Sequence, residues 1–243
     1  MKLWAFSSRT TKEIVRDPLN LGFGLAFPLV LLVLLTAIQS NIPVKLFVIE
    51  DLAPGITIFG LTFMTLFSAT LIARDRESAF LQRLYTTPLG ATDFILGYAL
   101  PIVPIAMVQG LLCYLAALLL QLPLSMNIVY AVISIAPVSL FFIALGLLCG
   151  SVLNVKQVGG ICGALLTNLA AWLSGIWFDL DIVGGAFKQV AYMLPFVHAV
   201  EIEKGLISGD YTDMGIHAMW VVGYALITVI IAVFVFLRQM KRQ

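Results

Sequence analysis

The charged side chains that could take part in binding or chemistry are concentrated in one short segment, RDRESAFLQRLYTTPLG, which occupies residues 74–90. It holds three arginines, one aspartate and one glutamate, and it lies between two long stretches without any charge. Written as a helix, its apolar side chains share one stripe, and most of its charges lie away from that stripe. Such an amphipathic helix suits docking into a groove on another protein, and the alternative is a helix that lies only on lipid. The stripe consists of Phe80, Leu81, Leu84 and Tyr85.

Motifs of enzymes are missing from the sequence. None of the 19 glycines is followed by lysine, so the chain lacks the phosphate-binding loop of ATPases. No Ser/His/Asp or Cys/His arrangement indicates a nucleophile with its base. His198 and Glu201 have the spacing of one helical face, but no third ligand is in register with them, so we expect no metal site. We therefore expect no catalytic residues and no cofactor bound by this chain.

The composition is that of a membrane protein. Hydrophobic residues make up 61% of the 243 residues and charged residues only 11%, whereas soluble domains carry about 25% charged residues. The net charge of +1 argues against a nucleic-acid partner. Six uncharged runs are long enough to cross a lipid bilayer, and all 27 charged residues lie outside them. We predict an all-α membrane protein with six transmembrane helices, at 19–38, 53–73, 94–120, 127–153, 157–178 and 218–237.

Lysine and arginine are distributed unequally between the two sides of this bundle. Eleven of the 14 fall on the side that holds both termini and residues 74–90, and three fall on the other side. Because positive charge is retained on the cytoplasmic side, we predict that both termini and the charged segment are cytoplasmic. We interpret the chain as a single domain (1–243), with an interface helix over 1–18, the six spans within 19–237 and a cytoplasmic tail over 238–243.

Basic residues also mark the segment before the first run. Its lysines and arginines share one helical stripe, and the pair Asp17-Pro18 disfavours continuation of the helix. We predict a short amphipathic helix at the inner membrane surface, and the alternative is an ordinary positively charged flank. The residues expected to make surface contacts are Trp4, Arg9, Lys12 and Arg16.

Residues 179–217 form the longest connection on the predicted outer side. They contain an apolar stretch divided by Pro195, so we expect two short re-entrant helices that dip into the outer leaflet while packed on protein. Elsewhere, two GxxxG pairs predict close approach of helices, either within the chain or between chains. The pairs are Gly146 with Gly150 and Gly159 with Gly163.

Few polar residues lie within the runs. Some of them would line a translocation path, although such side chains more often hydrogen-bond to neighbouring helices, and a tryptophan can anchor an interface. No run contains the ionisable groups that proton- or ion-coupled carriers use, so the simplest source of energy is another subunit that contacts the cytoplasmic side. A carrier that uses carbonyls and hydroxyls instead stays open. The candidate path residues are Gln109, Thr167, Asn168 and Trp172.

Three segments of the sequence resemble the ABC-type-2 transporter permeases. They are VRDPLNLGFGLAFPLVLLVL near the N-terminus, ARDRESAFLQRLYTTPLGATDFILG around the charged segment, and LSGIWFDLDIVGGAFKQVAYMLPFVHAVEIEKGL from the end of the fifth run onward. Their order follows the family along nearly the whole chain. The family pattern has a proline near Asp179, an asparagine at Leu194 and an arginine at Lys204.

The resemblance implies the transmembrane subunit of an ABC exporter. Such a subunit works as a dimer, with a second copy or a similar permease, and with two separate ATPase subunits that hold ATP and Mg. The charged segment would be the cytoplasmic coupling helix between the second and third spans, and the N-terminal helix would be a second contact with the ATPase. The residues implied in the coupling contact are Arg74, Asp75, Arg76, Glu77, Phe80, Leu81, Arg83 and Leu84.

The expected cargo is a hydrophobic or amphiphilic compound, such as a drug, an antibiotic or a peptide, because the predicted path is uncharged. The expected location is the bacterial inner membrane, as a multi-pass protein in contact with lipid. A glycan or a lipid-linked polymer is the alternative cargo within the family. Two alternatives of other classes are an autonomous secondary carrier and the substrate-binding membrane subunit of a vitamin importer.

Overall fold

Helices are the only regular elements in the part of the protein that the structure describes. The computed structural model describes residues 2–78 and 90–240. The helices, in chain order, are α1 (Lys2–Val15), α2 (Pro18–Gln39), α3 (Ile49–Glu77), α4 (Ala91–Leu119), α5 (Asn127–Val152), α6 (Val155–Val158), the π-helix π1 (Gly159–Leu166), α7 (Thr167–Trp172), α8 (Leu180–Val183), α9 (Gly185–Tyr192), α10 (Pro195–Ser208) and α11 (Met214–Met240).

Among the described residues, five helices are long and apolar enough to cross a membrane. They are α2, α3, α4, α5 and α11, and each overlaps one of the predicted runs. These five helices confirm the prediction of an all-α fold and the prediction that five of the six apolar runs form helices long enough to span a membrane. The fifth run, 157–178, forms α6, π1 and α7 instead of one long α-helix. The six-span count and the orientation in the membrane stay predictions.

Two glycines begin the π-helical part of the fifth run. A Cβ placed at Gly159 or Gly160, in the first turn of π1, would meet no atom within 4 Å. Glycine contributes no side-chain packing and weakens the preference for the α-helix, so these two positions do little to hold a regular α-helical turn. Stretches of π-helix are rare and are frequently found at functional sites.

The central helix of the bundle is α3. Of its most apolar 18-residue window, 83% is buried, compared with 22% for α2 and for α11. It packs against α2, α4, α5, α10 and π1. Thr65 donates its hydroxyl to the carbonyl oxygen of Phe142 at 2.8 Å, and Ser68 lies 3.2 Å from the carbonyl oxygen of Ile143. Polar side chains thus join α3 to α5 inside the bundle.

Two glycines of α5 allow α3 to approach closely. A Cβ at Gly146 would lie 1.9 Å from the Ser68 hydroxyl, and one at Gly150 would lie 2.4 Å from the carbonyl oxygen of Ala69. The first GxxxG pair therefore acts within the chain. In the second pair, Gly159 has open space around it, so no other helix of the described chain packs closely against it.

The long connection after α7 folds into three short helices. Pro195 occupies the first turn of α10, where its missing N–H removes no helical hydrogen bond. Gly209 ends α10 with a φ of +79°, in the left-handed region that glycine adopts readily. The predicted pair of helices on either side of Pro195 corresponds to α9 and α10. Their depth in the membrane stays a prediction.

Candidate functional site

The candidate site is the junction where α1 meets the start of α4 and the last turn of α3, which holds the first residues of the charged segment. Phe6 of α1 rests on Gly97 of α4, where a Cβ would lie 2.0 Å from the phenyl ring. The same ring meets Tyr98 edge-on at 4.9 Å. The missing side chain at Gly97 therefore creates the notch that receives the N-terminal helix.

The two faces of α1 differ in exposure. Phe6, Thr10 and Ile14 are buried and four residues apart, so they form the face that docks on the bundle. The predicted N-terminal amphipathic helix is present as α1, and its contact with a membrane or a partner stays a prediction. Three of the four predicted contact residues lie on the exposed face: Trp4, Lys12 and Arg16.

Arg9, the fourth of these residues, faces inward and binds Asp75 of α3. Its Nη1 and Nη2 atoms each lie 2.5 Å from one oxygen of the carboxylate. Tyr98 of α4 donates its hydroxyl to the same carboxylate at 2.6 Å. The Asp75 side chain is only 2% exposed, so these partners replace the water that its charge has lost. Because a bidentate arginine–carboxylate pair is directional, it fixes α1 and α3 relative to each other.

Two further ion pairs, which are more exposed than the pair with Asp75, flank it. Arg9 also lies 2.9 Å from Glu13, and Arg74 lies 3.0 Å from Asp17, the residue before α2. Burial, and then the charge of Asp75, raise the pKa of Glu13. Exposed pairs of this kind contribute about 1 kcal/mol or less, so the buried pair is the main electrostatic contact of the junction.

The last turn of α3 is also tied to the connection between α5 and α6. Arg76 donates to the backbone carbonyls of Ser151 and, at 2.6 Å, of Leu153. Glu77 accepts a hydrogen bond from the backbone N–H of Val155 at 3.0 Å. These side chains satisfy backbone groups where one helix ends and the next begins. The end of α3 is therefore held from two sides.

These contacts locate half of the predicted coupling segment. Sequence analysis treated residues 74–90 as one helix, whereas the first four predicted residues form the last turn of α3, which ends at Glu77. Their contact with an ATPase stays a prediction, and the structure shows each of them engaged within the chain: Arg74, Asp75, Arg76 and Glu77. The other four lie outside the described residues: Phe80, Leu81, Arg83 and Leu84.

Sequence analysis missed Phe6, Gly97 and Tyr98, which complete the junction. Tyr98 is 23 residues from Asp75, and Arg9 is 66 residues from it, so no periodicity within one segment relates them. The one available signal is the position of Asp75, which lies two residues after the end of an apolar run, on the same helix.

A family comparison decides what kind of protein carries this junction. The model for ABC-2 type transporters matches residues 1–204, which include α1, the charged segment and most of α10. The chain belongs to the ABC-2 type transporter family. The resemblance seen in the sequence is thereby confirmed.

Curated relatives are similar over part of this permease. A protein described as a probable multidrug ABC transporter permease, YbhR, of Escherichia coli strain K12 is 23% identical over 184 residues, which are 75% of this chain and 49% of the relative. A protein of Porphyra purpurea described as "Putative transport permease ycf38" is 33% identical over 130 residues, 51% of this chain and 45% of the relative. The chain spans about half the length of the curated relatives it matches.

Two of the predicted path residues of this ABC-2 permease have partners inside the protomer. Gln109 of α4 is fully buried and fills a glycine notch on α3, where a Cβ at Gly60 would lie 2.1 Å from its Nε2. Its Nε2 donates to the Cys113 sulfur at 3.2 Å, and its carbonyl oxygen has no partner among the described residues. Thr167 donates its hydroxyl to the Cys162 carbonyl at 3.0 Å. A path role for both stays a prediction.

The other two path residues lie on the exposed face of α7. Asn168 donates its amide to the carbonyl of Ala164 at 2.8 Å, and Trp172 is 53% exposed. Large apolar side chains, such as Leu165 and Leu169, are exposed on the same segment. Within one protomer, Gln109 is enclosed between α3 and α4, whereas Asn168 and Trp172 face outward. A shared path would therefore require a neighbouring molecule.

A cavity of about 700 Å³ opens at the start of α3, whereas the junction lies at its end. Its walls come from the α2–α3 connection, the residues around α8, one face of α10 and the start of α11. Carboxylates outnumber lysines along these walls. Its charged residues are Lys45, Glu50, Asp51, Asp179, Asp181, Glu201, Lys204, Asp210 and Asp213.

Two histidines meet beside this cavity. The Nδ1 atoms of His198 and His217 lie 2.7 Å apart, and the Nε2 atom of His198 lies 3.0 Å from the carbonyl oxygen of Tyr192. Burial, together with the neighbouring His217, lowers the pKa of His198. In residues 2–78 and 90–240, no three metal-ligating side chains are grouped, and Glu201 lines the cavity without joining the two histidines.

Proposed function

We propose that this chain is the permease subunit of an ATP-driven exporter that moves a hydrophobic or amphiphilic compound out across the bacterial inner membrane. The observation that carries the proposal is the match of residues 1–204 to the ABC-2 type transporters. The lack of a Gly-Lys phosphate-binding motif supports a separate ATPase subunit, which would hold ATP and Mg.

The junction provides a route for force from that ATPase. Residues 79–89 directly follow the end of α3, and they contain the apolar stripe proposed to dock on the ATPase. At the end of α3, Asp75 is bound to α1 and α4, and Arg76 is bound to the end of α5. A displacement of the coupling segment would therefore move four helices together.

The exposed face of α7 supports a dimer. Asn168 is a polar residue on a surface that otherwise carries leucines, and a polar group facing lipid hydrocarbon is unfavourable. Contact with a second copy of the chain, or with a similar permease, would remove Asn168 and Trp172 from lipid. In the dimer these residues would border a path between protomers, with two ATPase subunits below.

The cargo class rests on two observations. The predicted spans carry no charged side chain in their apolar runs, which favours an apolar or amphiphilic compound over a charged sugar. The E. coli relative is described as a multidrug permease, although its identity to this chain is only 23%. A glycan or lipid-linked polymer is the alternative within the same family.

Crosslinking tests the proposed ATPase contact. Ala79→Cys would be treated with a short crosslinker in native membranes, followed by mass spectrometry of the tagged permease and anything attached to it. We expect an ATP-binding protein to be attached. Lys45→Cys, which lines the cavity at the start of α3, is the matched control and should attach none. An ATPase found equally on both variants, or on neither, contradicts the proposal.

A second candidate function, an autonomous secondary carrier, is favoured by one observation. The predicted runs contain no ionisable residue, but Glu203 of α10, which lies between the fifth and sixth runs, is completely buried and contacts Tyr114 of α4. Buried carboxylates of this kind serve ion-coupled carriers. Reconstituted permease that transports with an ion gradient and without any ATPase would favour the carrier. Transport only with the ATPase and ATP would favour the exporter.

A further inference from the structure

Glu203 lies at the point where α10 meets the spans. Its side chain is fully buried, and α10 packs against α3, α5 and α11. The hydroxyl of Tyr114, near the end of α4, donates to its Oε2 at 2.6 Å. The hydroxyl of Ser134 of α5 contacts its Oε1. One carboxyl group thus joins α10 to two helices that cross the bundle.

No cation accompanies this carboxyl group in the described part of the chain. On its own helix, Lys204 lies 3.7 Å from Glu201, and the imidazole of His198 is bound to His217 of α11 and to the backbone of α9. Lys188 of α9 is paired with Asp181.

The helices packed around Glu203 add no positive charge either. Between its ends α5 has no acidic or basic residue, and Glu50 and Asp51 of α3 line the cavity. The nearest titratable groups on α4 are Tyr114 and the neighbouring Cys113, neither of which can carry a positive charge. An ionised carboxylate that is buried without a cation costs several kcal/mol, so the neutral acid is favoured here.

The hydrogen bonds fit the neutral acid. Ser134 has one hydroxyl proton, and its oxygen lies 2.8 Å from the carbonyl oxygen of Ala131, which can only accept. When the Ser134 proton points to that carbonyl, the contact with Glu203 requires a proton on Oε1. Tyr114 then donates to Oε2, and every polar atom of the cluster has a partner. An ionised Glu203 would instead take the Ser134 proton away from Ala131.

We propose that Glu203 is a proton-binding site, and that the proton it holds at mildly acidic pH keeps α10 attached to α4 and α5. The opposite face of α10, with Glu201 and Lys204, forms a wall of the 700 Å³ cavity. Loss of the proton weakens that attachment and so loosens the wall. The site does not depend on an ATPase, so it stands or falls separately from the exporter proposal.

The pH range follows from the environment of the carboxyl group. Burial raises the pKa of Glu203 to about 7, against the hydrogen bonds from Ser134 and Tyr114, which act in the opposite direction. Because the folded-state pKa lies above the ordinary value, the stabilisation is present at acidic pH. It is lost as the pH rises through about 7.

Infrared difference spectroscopy of the purified full-length permease in nanodiscs tests the protonation directly. Between about pH 5.5 and about pH 8.5 we expect the C=O band of a protonated, buried carboxyl group to disappear in the wild type. The band should be missing at both pH values in Glu203→Gln. It should behave as in the wild type in Glu201→Gln, a matched control two residues away that lines the cavity. A band that persists in Glu203→Gln, or no such band in the wild type, overturns the proposal.

Thermal unfolding of the same samples tests the consequence. The unfolding midpoint of the wild type should fall across this pH range, whereas Glu203→Gln should keep the low-pH value of the wild type throughout. If that variant does not fold, Tyr114→Phe provides the test. It removes a hydrogen bond that favours the ionised form, so the pH at which the wild-type band disappears should move upward. If the carboxyl C=O band of Tyr114→Phe disappears at the same pH as in the wild type, or at a lower pH, the proposal is contradicted.

Discussion

Asp75→Asn tests whether a buried charge fixes α1 to the bundle. The substitution keeps the shape of the side chain and an oxygen for the Tyr98 hydroxyl, but it removes the negative charge that faces Arg9. Breaking a buried pair in this way typically costs about 3–5 kcal/mol, because the remaining charge stays buried. The Arg9 side chain is 34% exposed and keeps Glu13 as a neighbour. We therefore expect the free energy of unfolding to fall by a smaller amount, about 2–3 kcal/mol.

Denaturant unfolding in detergent micelles measures this loss. The four tryptophans of the chain provide the fluorescence signal of global unfolding, because Trp4 on α1 is already exposed in the folded protein. The partner variant is Arg9→Met, which keeps the length of the side chain without its charge. Because the two residues share one interaction, the double variant should lose less than the sum of the single losses, by at least about 1 kcal/mol.

The matched control is Arg74→Gln, one residue away on the same turn. It breaks the exposed pair with Asp17 and should cost less than about 1 kcal/mol. Two results would refute the assignment of the buried pair as the clamp. One is a loss in Asp75→Asn no larger than that in Arg74→Gln. The other is additivity of Arg9→Met and Asp75→Asn.

Two further predictions concern packing and coupling. Gly146→Ala places a methyl group 1.9 Å from a hydroxyl of α3, so it should lower stability by about 1–3 kcal/mol in thermal unfolding, whereas Gly159→Ala, which enters open space, should not. Equal effects of the two alanines would contradict the close α3–α5 contact. Leu84→Asp places a charge on the proposed docking stripe, so it should reduce permease-stimulated ATP hydrolysis strongly while the protein still inserts. Arg83→Glu, off the stripe, should reduce it less, and the reverse order would mean that the docking face is assigned wrongly.

The apolar runs could be predicted from sequence because each run depends on residues that are neighbours in the chain. The stretches around Pro28 and Ile135, for example, are apolar over their whole length and form α2 and α5. The division between α9 and α10 follows from Pro195 for the same reason, since proline acts on its own turn. The irregular helix at Gly159 was not predicted, because charge and hydropathy do not distinguish a π-helix from an α-helix.

The junction could not be predicted, because its contacts join residues far apart in the chain. Composition places Asp75 with the exposed charges of the segment that follows, whereas its side chain is enclosed by α1 and α4. Glu203 presents the same difficulty. It lies next to Lys204 and close to Glu201 in a charged stretch, and only the helical rotation of α10 separates the buried carboxyl group of Glu203 from the half-buried one of Glu201.

The stiffness of α3 links the two ends of the protein. Its one proline, Pro54, lies in the second turn, so the stretch from Gly55 to Glu77 has no proline at which to bend. By contrast, α2, α4 and α5 contain prolines in their interiors. α3 also packs closely on α5 and α10, so it cannot tilt alone. We predict that a push at the junction would travel along α3 as a rigid displacement and would reach the wall of the cavity through α10. A crosslink between α3 and α5 should then leave transport unchanged, because the two helices would move as one body, and loss of transport with the ATPase still bound and active would contradict this.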